Sequence, residues 1–393
     1  MVSMIARIYI LLLLMIVLPD TYIYAFYLRK WFRHHIWKQL LWWLPTVVML
    51  VYTIKLALDP NFVPSNSVWL TVYLFLFGLL IASKIVFSLC SLIGLVCHKL
   101  FKSKHNWGNL LGFILSLFVI YICIYGFTLG FSKLKITHIN LTFSTLPKSF
   151  DGYKIVQFSD AHVGSYQGSR YTILQKAIDS INSQHADMIV FTGDLQNIEP
   201  SELTPCQSLL SSLHAKDGVF SVLGNHDYSL YITAPADVKY ANEQKMITLQ
   251  QQMGWKLLRN EHRTLHRGID SIVIAGEEND GLPPFPAKGN IKQTLHGVAT
   301  NTFVVMLQHD PTAWRRNILK ESTTQLTLCG HTHGGQFSIL GMRPTQLIYK
   351  EDYGVYHEGE RVLNVSCGLG GLIPFRFGIP GEIVVITLHS AKK

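Results

Sequence analysis

Four long apolar runs followed by short alternating ones divide the chain into two regions of different kind. The runs cover residues 8–28, apolar apart from Pro19-Asp20; 39–58, carrying Pro45 and Lys55; 68–97; and 110–131, which follows Trp107 and holds several tyrosines. About 20 apolar residues cross a bilayer core, so each run predicts a transmembrane helix, with Lys55 near an end where its stem reaches the interface. The third run is longer than a span requires and is expected to tilt, kink or leave the bilayer near Lys84. Asp20 and Lys84 are charges at membrane depth. No second acidic residue or histidine lies within a span to build a relay, so they are expected to pair or to reach the interface.

Beyond Lys135 the pattern shortens. Residues 136–143 alternate apolar and polar, Leu146-Pro147 breaks the run, and 153–158 is a short apolar strand. Residues 170–184 place Leu174, Ala177, Ile178 and Ile181 on one helical face, and 188–192 returns to strand. Further strands are predicted at 219–223, 272–275, 303–308, 326–329, 362–366 and 383–387, with helices near 202–213, 243–253 and 312–320. Residues 277–284 read as an acidic, turn-rich loop. The expected organisation is a multi-pass membrane domain over 1–135 and a second, soluble domain over 136–393, with enough β for two packed sheets and helices outside them.

Charge sharpens the division. Residues 1–135 carry 12 Lys+Arg against Asp20 and Asp59, while the remainder carries 22 Lys+Arg against 23 Asp+Glu. The whole positive excess therefore belongs to the membrane domain, and a nucleic-acid partner, which needs a basic soluble domain, is excluded. Arg29, Lys30, Arg33 and Lys38 follow the first run, Lys99, Lys102 and Lys104 follow the third, and none lies between Lys55 and Lys84. The positive-inside rule puts both basic loops in the cytoplasm and both termini outside, with Lys133 and Lys135 as the two opposing charges. The expected location is the cell (inner) membrane, with the domain over 136–393 extracytoplasmic. Cys90, Cys97 and Cys123 sit in apolar runs and Cys206, Cys329 and Cys367 lack ligand-like spacing, which predicts small buried thiols and no disulfide framework.

Five polar clusters follow five strand-length runs: Asp160-x-His162, Gly193-Asp194, Gly224-Asn225-His226-Asp227, His309, and Gly330-His331-Thr332-His333-Gly334. In an α/β sheet such ends lie along one edge, where ligands bind. A strand that kept its pleat past Phe158 would aim Asp160 and His162 at one face, able to grip one cation, and His331 and His333 repeat that spacing. Carboxylates, imidazoles and one amide oxygen suit manganese, iron or zinc and lack the thiolates of a structural zinc site. Singly each cluster is weak, since a lone histidine more often packs than ligates. Together they offer more ligands than one cation needs. Two cations sharing one carboxylate would use them all, which is the known device for phosphoester cleavage.

In content and order these clusters resemble the calcineurin-like metallophosphoesterases, over about 153–388. Gly368-Leu369-Gly370-Gly371 through Pro374, Arg376 and Glu382 is similar to the C-terminal segment of their membrane-associated bacterial branch. The resemblance implies an α/β fold, a two-sheet sandwich flanked by helices; the apolar runs put an all-α membrane domain of about four transmembrane helices before it. It implies two divalent metal ions: Asp160, His162 and His333 on one, Asn225, His309 and His331 on the other, with Asp194 as bridge. His226 is implied as the catalytic group facing the leaving group. Arg376, whose guanidinium can grip a phosphate bidentately, is a candidate substrate-binding residue. Many members carry an Asp three residues after the bridge, paired with that histidine; here the place is Asn197, an amide that can orient an imidazole but not stabilise its charge.

The expected activity is metal-dependent hydrolysis of a phosphomono- or diester, by in-line attack of activated water with no covalent enzyme intermediate. The bilayer is the expected partner, and a lipid- or envelope-linked phosphoester the expected substrate, because anchoring raises its local concentration. The alternatives are a nucleotide-sugar lipid pyrophosphatase of UDP-diacylglucosamine type, whose substrate is cytoplasmic, and a non-catalytic metal-binding membrane scaffold.

Overall fold

The structure, a computed structural model, describes residues 4–61, 63–64 and 66–391. The chain falls into two compact units, Met1–Thr128 with Tyr231–Thr233, and Leu129–Leu230 with Ala234–Lys393.

Among the described residues, the first unit holds four helices long and apolar enough to cross a membrane: Met4–Phe32, Ile36–Ala57, Ser67–Leu100 and Trp107–Gly130. The long third helix carries a π-helical stretch over Phe77–Ala82. The two intramembrane charges pair with each other. Lys84 Nζ lies 2.6 Å from Asp20 Oδ1, Thr46 donates its hydroxyl to the same carboxylate, and Lys84 stands over the Trp42 ring. Three spans are thereby joined through polar groups that hydrocarbon would otherwise leave unsatisfied.

The second unit is built on twelve strands: β1 (Leu134–Phe143), β2 (Tyr153–Phe158), β3 (Met188–Phe191), β4 (Val219–Ser221), β5 (Lys256–Leu257), β6 (Glu261–Arg267), β7 (Asp270–Gly276), β8 (Phe303–Leu307), β9 (Leu326–Cys329), β10 (Gly354–Glu358), β11 (Arg361–Val365) and β12 (Gly381–Ser390). They form two six-stranded sheets, ordered β1-β12-β2-β3-β4-β5 and β10-β11-β9-β8-β7-β6. Within the first, β2, β3, β4 and β5 run parallel; within the second, β7, β8, β9 and β11 do.

The period of two explains the packing. On β3, Met188 and Val190 enter the core between the sheets, while Ile189 and Phe191 enter a second core. There they meet Leu174, Ala177, Ile178 and Ile181 of the helix Tyr171–Asn182, the face expected from their spacing. A third core packs Val304 and Met306 of β8 against Trp314 and Ile318. Both sheets are thus covered on both faces, which is why β3 and β8 are apolar throughout. This is the expected sandwich. All six cysteines are free thiols, four of them buried; Cys97 is exposed and Cys90 intermediate.

Candidate metal centre

Parallel strands within each sheet bring their carboxyl ends to one edge, and the five polar clusters follow β2, β3, β4, β8 and β9. The expected pleat does not continue, however. β2 stops at Phe158, and Asp160 and His162 adopt left-handed backbone, with φ of 48° and 46°. Asp194, His331 and His333 do the same, at 62°, 74° and 54°. Such conformations cost about 1–2 kcal/mol for a residue with a Cβ, and they persist because the loops brace one another. Asp160 N–H donates to the Gly193 carbonyl, His162 N–H to that of Asp194, and Gly330 N–H to that of His309. Sharp left-handed turns, not alternation, aim these side chains inward.

The result is two overlapping groups. One ligand atom from each of Asp160, His162, Asp194 and His333 lies within 4.8 Å of the others, as do those of Asp194, His309 and His331. Asp194 belongs to both. Its Oδ2 is 3.1 Å from His309 Nε2 and 3.7 Å from His162 Nε2, while Oδ1 accepts the His226 backbone N–H at 2.8 Å. His333 Nε2 lies 3.3 Å from Asp160 Oδ1, and Asn225 Oδ1 lies 2.8 Å from His331 Nδ1. The glycines are spacers: a Cβ on Gly224 would fall 2.2 Å from Asp194 Oδ1, and one on Gly330 would fall 2.3 Å from Asp160 Oδ2.

Electrostatics place most of these groups in a cation-binding form. Burial, reinforced by His226, lowers His162 to about 3. Burial likewise takes His331 to about 4 and holds His333 well below the ordinary imidazole value. Burial acts to raise Asp194, but the imidazoles of His309, His226 and His162 overcome it and hold that carboxyl well below its ordinary value. Burial opposes the charged form of His309, and the Asp194 carboxylate reverses it, raising this one histidine to about 10. Asp160 is pushed up to about 7 by burial, with Asp194 adding to it and His309 subtracting. His162 is the clearest orphan: it is fully buried with neither ring nitrogen hydrogen-bonded. A buried imidazole without partners, facing two carboxylates, fits a cation ligand better than a packing residue.

The pattern identifies the family. A family model described as "Calcineurin-like phosphoesterase" matches residues 153–335, and one described as "Probable Calcineurin-like phosphoesterase, transmembrane domain" matches 6–131. The chain is 32% identical to the uncharacterized metallophosphoesterase YkuE of Bacillus subtilis over 65% of its own length and 86% of that protein. The chain belongs to the calcineurin-like metallophosphoesterases. Its other relatives include a transmembrane protein with metallophosphoesterase domain from Danio rerio, 28% identical over 69% of this chain and 61% of that one. The UDP-2,3-diacylglucosamine pyrophosphatase LpxG of Chlamydia muridarum is 26% identical over 64% and 88%.

Two expectations need correction. Arg376 does not stand free to hold phosphate. It is fully buried, and its guanidinium donates to the carbonyls of Cys367, Gly368, Gly370 and Pro380 at 2.6–3.2 Å. Five donors in a fixed fork suit this clamp. The clamped segment in turn supports the site, because Leu369 and Gly370 donate their N–H groups to the carbonyls of Ser159 and Asp160. Asn197 also acts differently from the expected amide partner. His226 Nδ1 lies 2.5 Å from its main-chain carbonyl, whereas its side-chain nitrogen is given to Ser165 Oγ and the Leu372 carbonyl. Because a carbonyl only accepts, Nδ1 carries a proton.

Asp227 was visible in the sequence only as the end of its cluster, yet it braces the centre. Oδ2 accepts the N–H groups of Asp194 and Gly224, and Oδ1 those of Leu195 and Gln196. Burial, then the charge of Asp194, push this carboxyl up to about 7 against the pull of those donors. Glu202 braces a neighbouring loop in the same way, accepting from the backbone of Asn197 and Ile198. Tyr349, whose hydroxyl lies 3.1 Å from His331 Nε2, had no signal in the sequence.

Proposed function

We propose that the chain is a membrane-anchored, binuclear metal-dependent phosphoesterase, in which Asp160, His162 and His333 hold one divalent cation and Asn225, His309 and His331 the other. Asp194 bridges them. The observation that carries this reading is that Asp194 lies within ligand distance of both histidine groups. Bound there, two cations of the manganese, iron or zinc type would supply Lewis-acid charge and activate water for hydrolysis. The chain's own groups orient and exclude. The Asn197 carbonyl holds the His226 ring through Nδ1, and Nε2 serves as proton or hydrogen-bond donor to the leaving group only in the imidazolium form, which burial opposes and the Asp194 carboxylate favours. Loading requires His309 to give up its proton, so cation uptake is coupled to proton release.

The substrate class we assign is a lipid- or envelope-linked phosphomono- or diester, supported by four membrane-capable helices in the same chain. The unequal loop charge supports an inner-membrane location with the catalytic domain outside the cytoplasm. The name of the LpxG relatives favours a second reading, a nucleotide-sugar lipid pyrophosphatase, expected above to meet its substrate in the cytoplasm. The test is hydrolysis by full-length protein in detergent, offered aryl phosphomono- and diesters and a UDP-linked lipid with manganese, zinc or iron. Metal-dependent cleavage of an aryl ester is expected, and activity untouched by exhaustive chelation would refute the mechanism. A C-terminal reporter active only outside the cytoplasm should work; silence there with a cytoplasmic reporter active would favour the pyrophosphatase.

A further inference from the structure

Among the described residues of the second unit, one short stretch concentrates exposed aliphatic side chains: Leu340 is 95% exposed, Met342 65%, Leu347 91% and Ile348 77%. Soluble surfaces rarely present a contiguous apolar patch without a partner for it. Nor is the patch a floppy loop that happens to be open. Ile339 and Met342 exchange both backbone hydrogen bonds across a two-residue turn, in which Leu340 and Gly341 take left-handed φ of 52° and 82°. Leucine is a poor residue for that conformation. Arg343 then fixes the segment with two bonds to the Asp352 carboxylate, joined by Thr345 Oγ1, and Pro344–Leu347 closes a 3₁₀ turn. The aliphatic side chains are held outward by a built scaffold.

That scaffold is bolted to the metal centre. The Thr332 hydroxyl, between His331 and His333, donates to the Asp352 carbonyl, and Tyr349, next to Ile348, reaches His331 Nε2. The occupant is indicated by the rest of the chain and by charge. Four helices able to cross a membrane tether this unit to a bilayer, which is therefore the apolar phase at highest local concentration. Residues 339–350 contain no acidic side chain, only Arg343 and the exposed Lys350, so anionic headgroups meet no like charge.

We propose that residues 339–348 are a membrane-docking loop that seats the metal centre at the bilayer surface, so that the substrate is an amphiphile presenting its phosphoester at headgroup level. The second half of this inference rests on the phosphoesterase reading; the docking itself does not. The test uses full-length protein in lipid nanodiscs, in a Cys90→Ser, Cys97→Ser background, with an environment-sensitive fluorophore on Leu347→Cys and, as control, on the exposed Lys292→Cys. Emission from position 347 should shift to the blue and be quenched by phosphatidylcholine spin-labelled high on its acyl chain, and emission from 292 should not. Substituting Leu340→Ser, Met342→Ser, Leu347→Ser and Ile348→Ser together should lower kcat/KM on the order of tenfold for a diacyl lipid bearing an aryl phosphodiester headgroup. The same variant should leave hydrolysis of the matching water-soluble aryl phosphodiester unchanged. An unquenched label at 347, including one buried instead against a second copy of the chain, overturns the docking. Equal losses on the two substrates, or none, overturn the link to substrate. If wild type cleaves neither ester, the phosphoesterase reading fails, and the quenching still decides the docking.

Discussion

Replacing Asp227 by asparagine changes one oxygen to an amino group, and the structure shows what that does. Each carboxylate oxygen accepts two main-chain N–H groups, from Asp194 and Gly224 on one side and Leu195 and Gln196 on the other. Asparagine can accept on one side only, and turns an N–H₂ toward donors on the other. Each buried N–H left without its acceptor costs about 1–3 kcal/mol, so leaving two costs about 2–6 kcal/mol. Against a typical total of about 5–15 kcal/mol that is a large share, and a Tm lower by on the order of 10 °C is expected. The loop released carries Asp194, so both ligand groups loosen together. Thermal unfolding of the full-length variant with and without manganese, beside metal analysis, should show a lowered Tm and metal content well below wild type. A Tm within about 1 °C of wild type with full metal content would refute the bracing role.

Three further outcomes follow from single residues. His226→Ala should retain its metal and lose far more rate on alkyl than on aryl phosphoesters, because only poor leaving groups need a proton; equal losses on both would reject proton donation. Asp187 accepts from Lys154 N–H, Lys216 and Arg267, and although burial opposes it, these partners hold its carboxyl below the ordinary value. A depressed folded-state pKa contributes stability present above the unfolded value of about 3.9 and lost as pH falls through the folded one. Asp187→Asn should therefore cost about 1–2 kcal/mol at pH 7 and progressively less below about pH 4, as read by urea unfolding across pH. Arg376→Lys keeps the charge but loses the planar fork, and should lower Tm and metal content with no selective effect on KM; an isolated rise in KM would restore a phosphate-binding role.

Much of the architecture was legible because burial leaves a period. β2, β3, β8, β9 and β12, covered on both faces, read as apolar runs, and the inner face of Tyr171–Asn182 read from its spacing. The strands passed over were β5, β6 and β10, each the last strand of a sheet. β6, Glu-His-Arg-Thr-Leu-His-Arg, has no fully buried position, so it carried no hydrophobic signal. The single helix expected over 202–213 is two short turns, Pro200–Leu203 and Gln207–Ser211, because Pro205 cannot continue a helix. At the site, residue types at strand ends marked the place where side chains gather. What they could not show was how, since left-handed turns at Asp160 and His162 depend on bonds to Gly193 and Asp194, more than thirty residues away. Arg376 was misread for a related reason: its carbonyl partners belong to a loop conformation with no pattern of its own.

The central claim is that two cations share Asp194, and metal content measured against activity tests it most directly. Full-length protein should bind close to two manganese ions per chain, and His162→Ala and His309→Ala should each bind about one. Aryl phosphoester hydrolysis should be lost in both variants, and Asp194→Asn should lose hydrolysis and weaken both ions. Hydrolysis that saturates with one ion per chain, or persists in Asp194→Asn with both ions retained, would contradict the account.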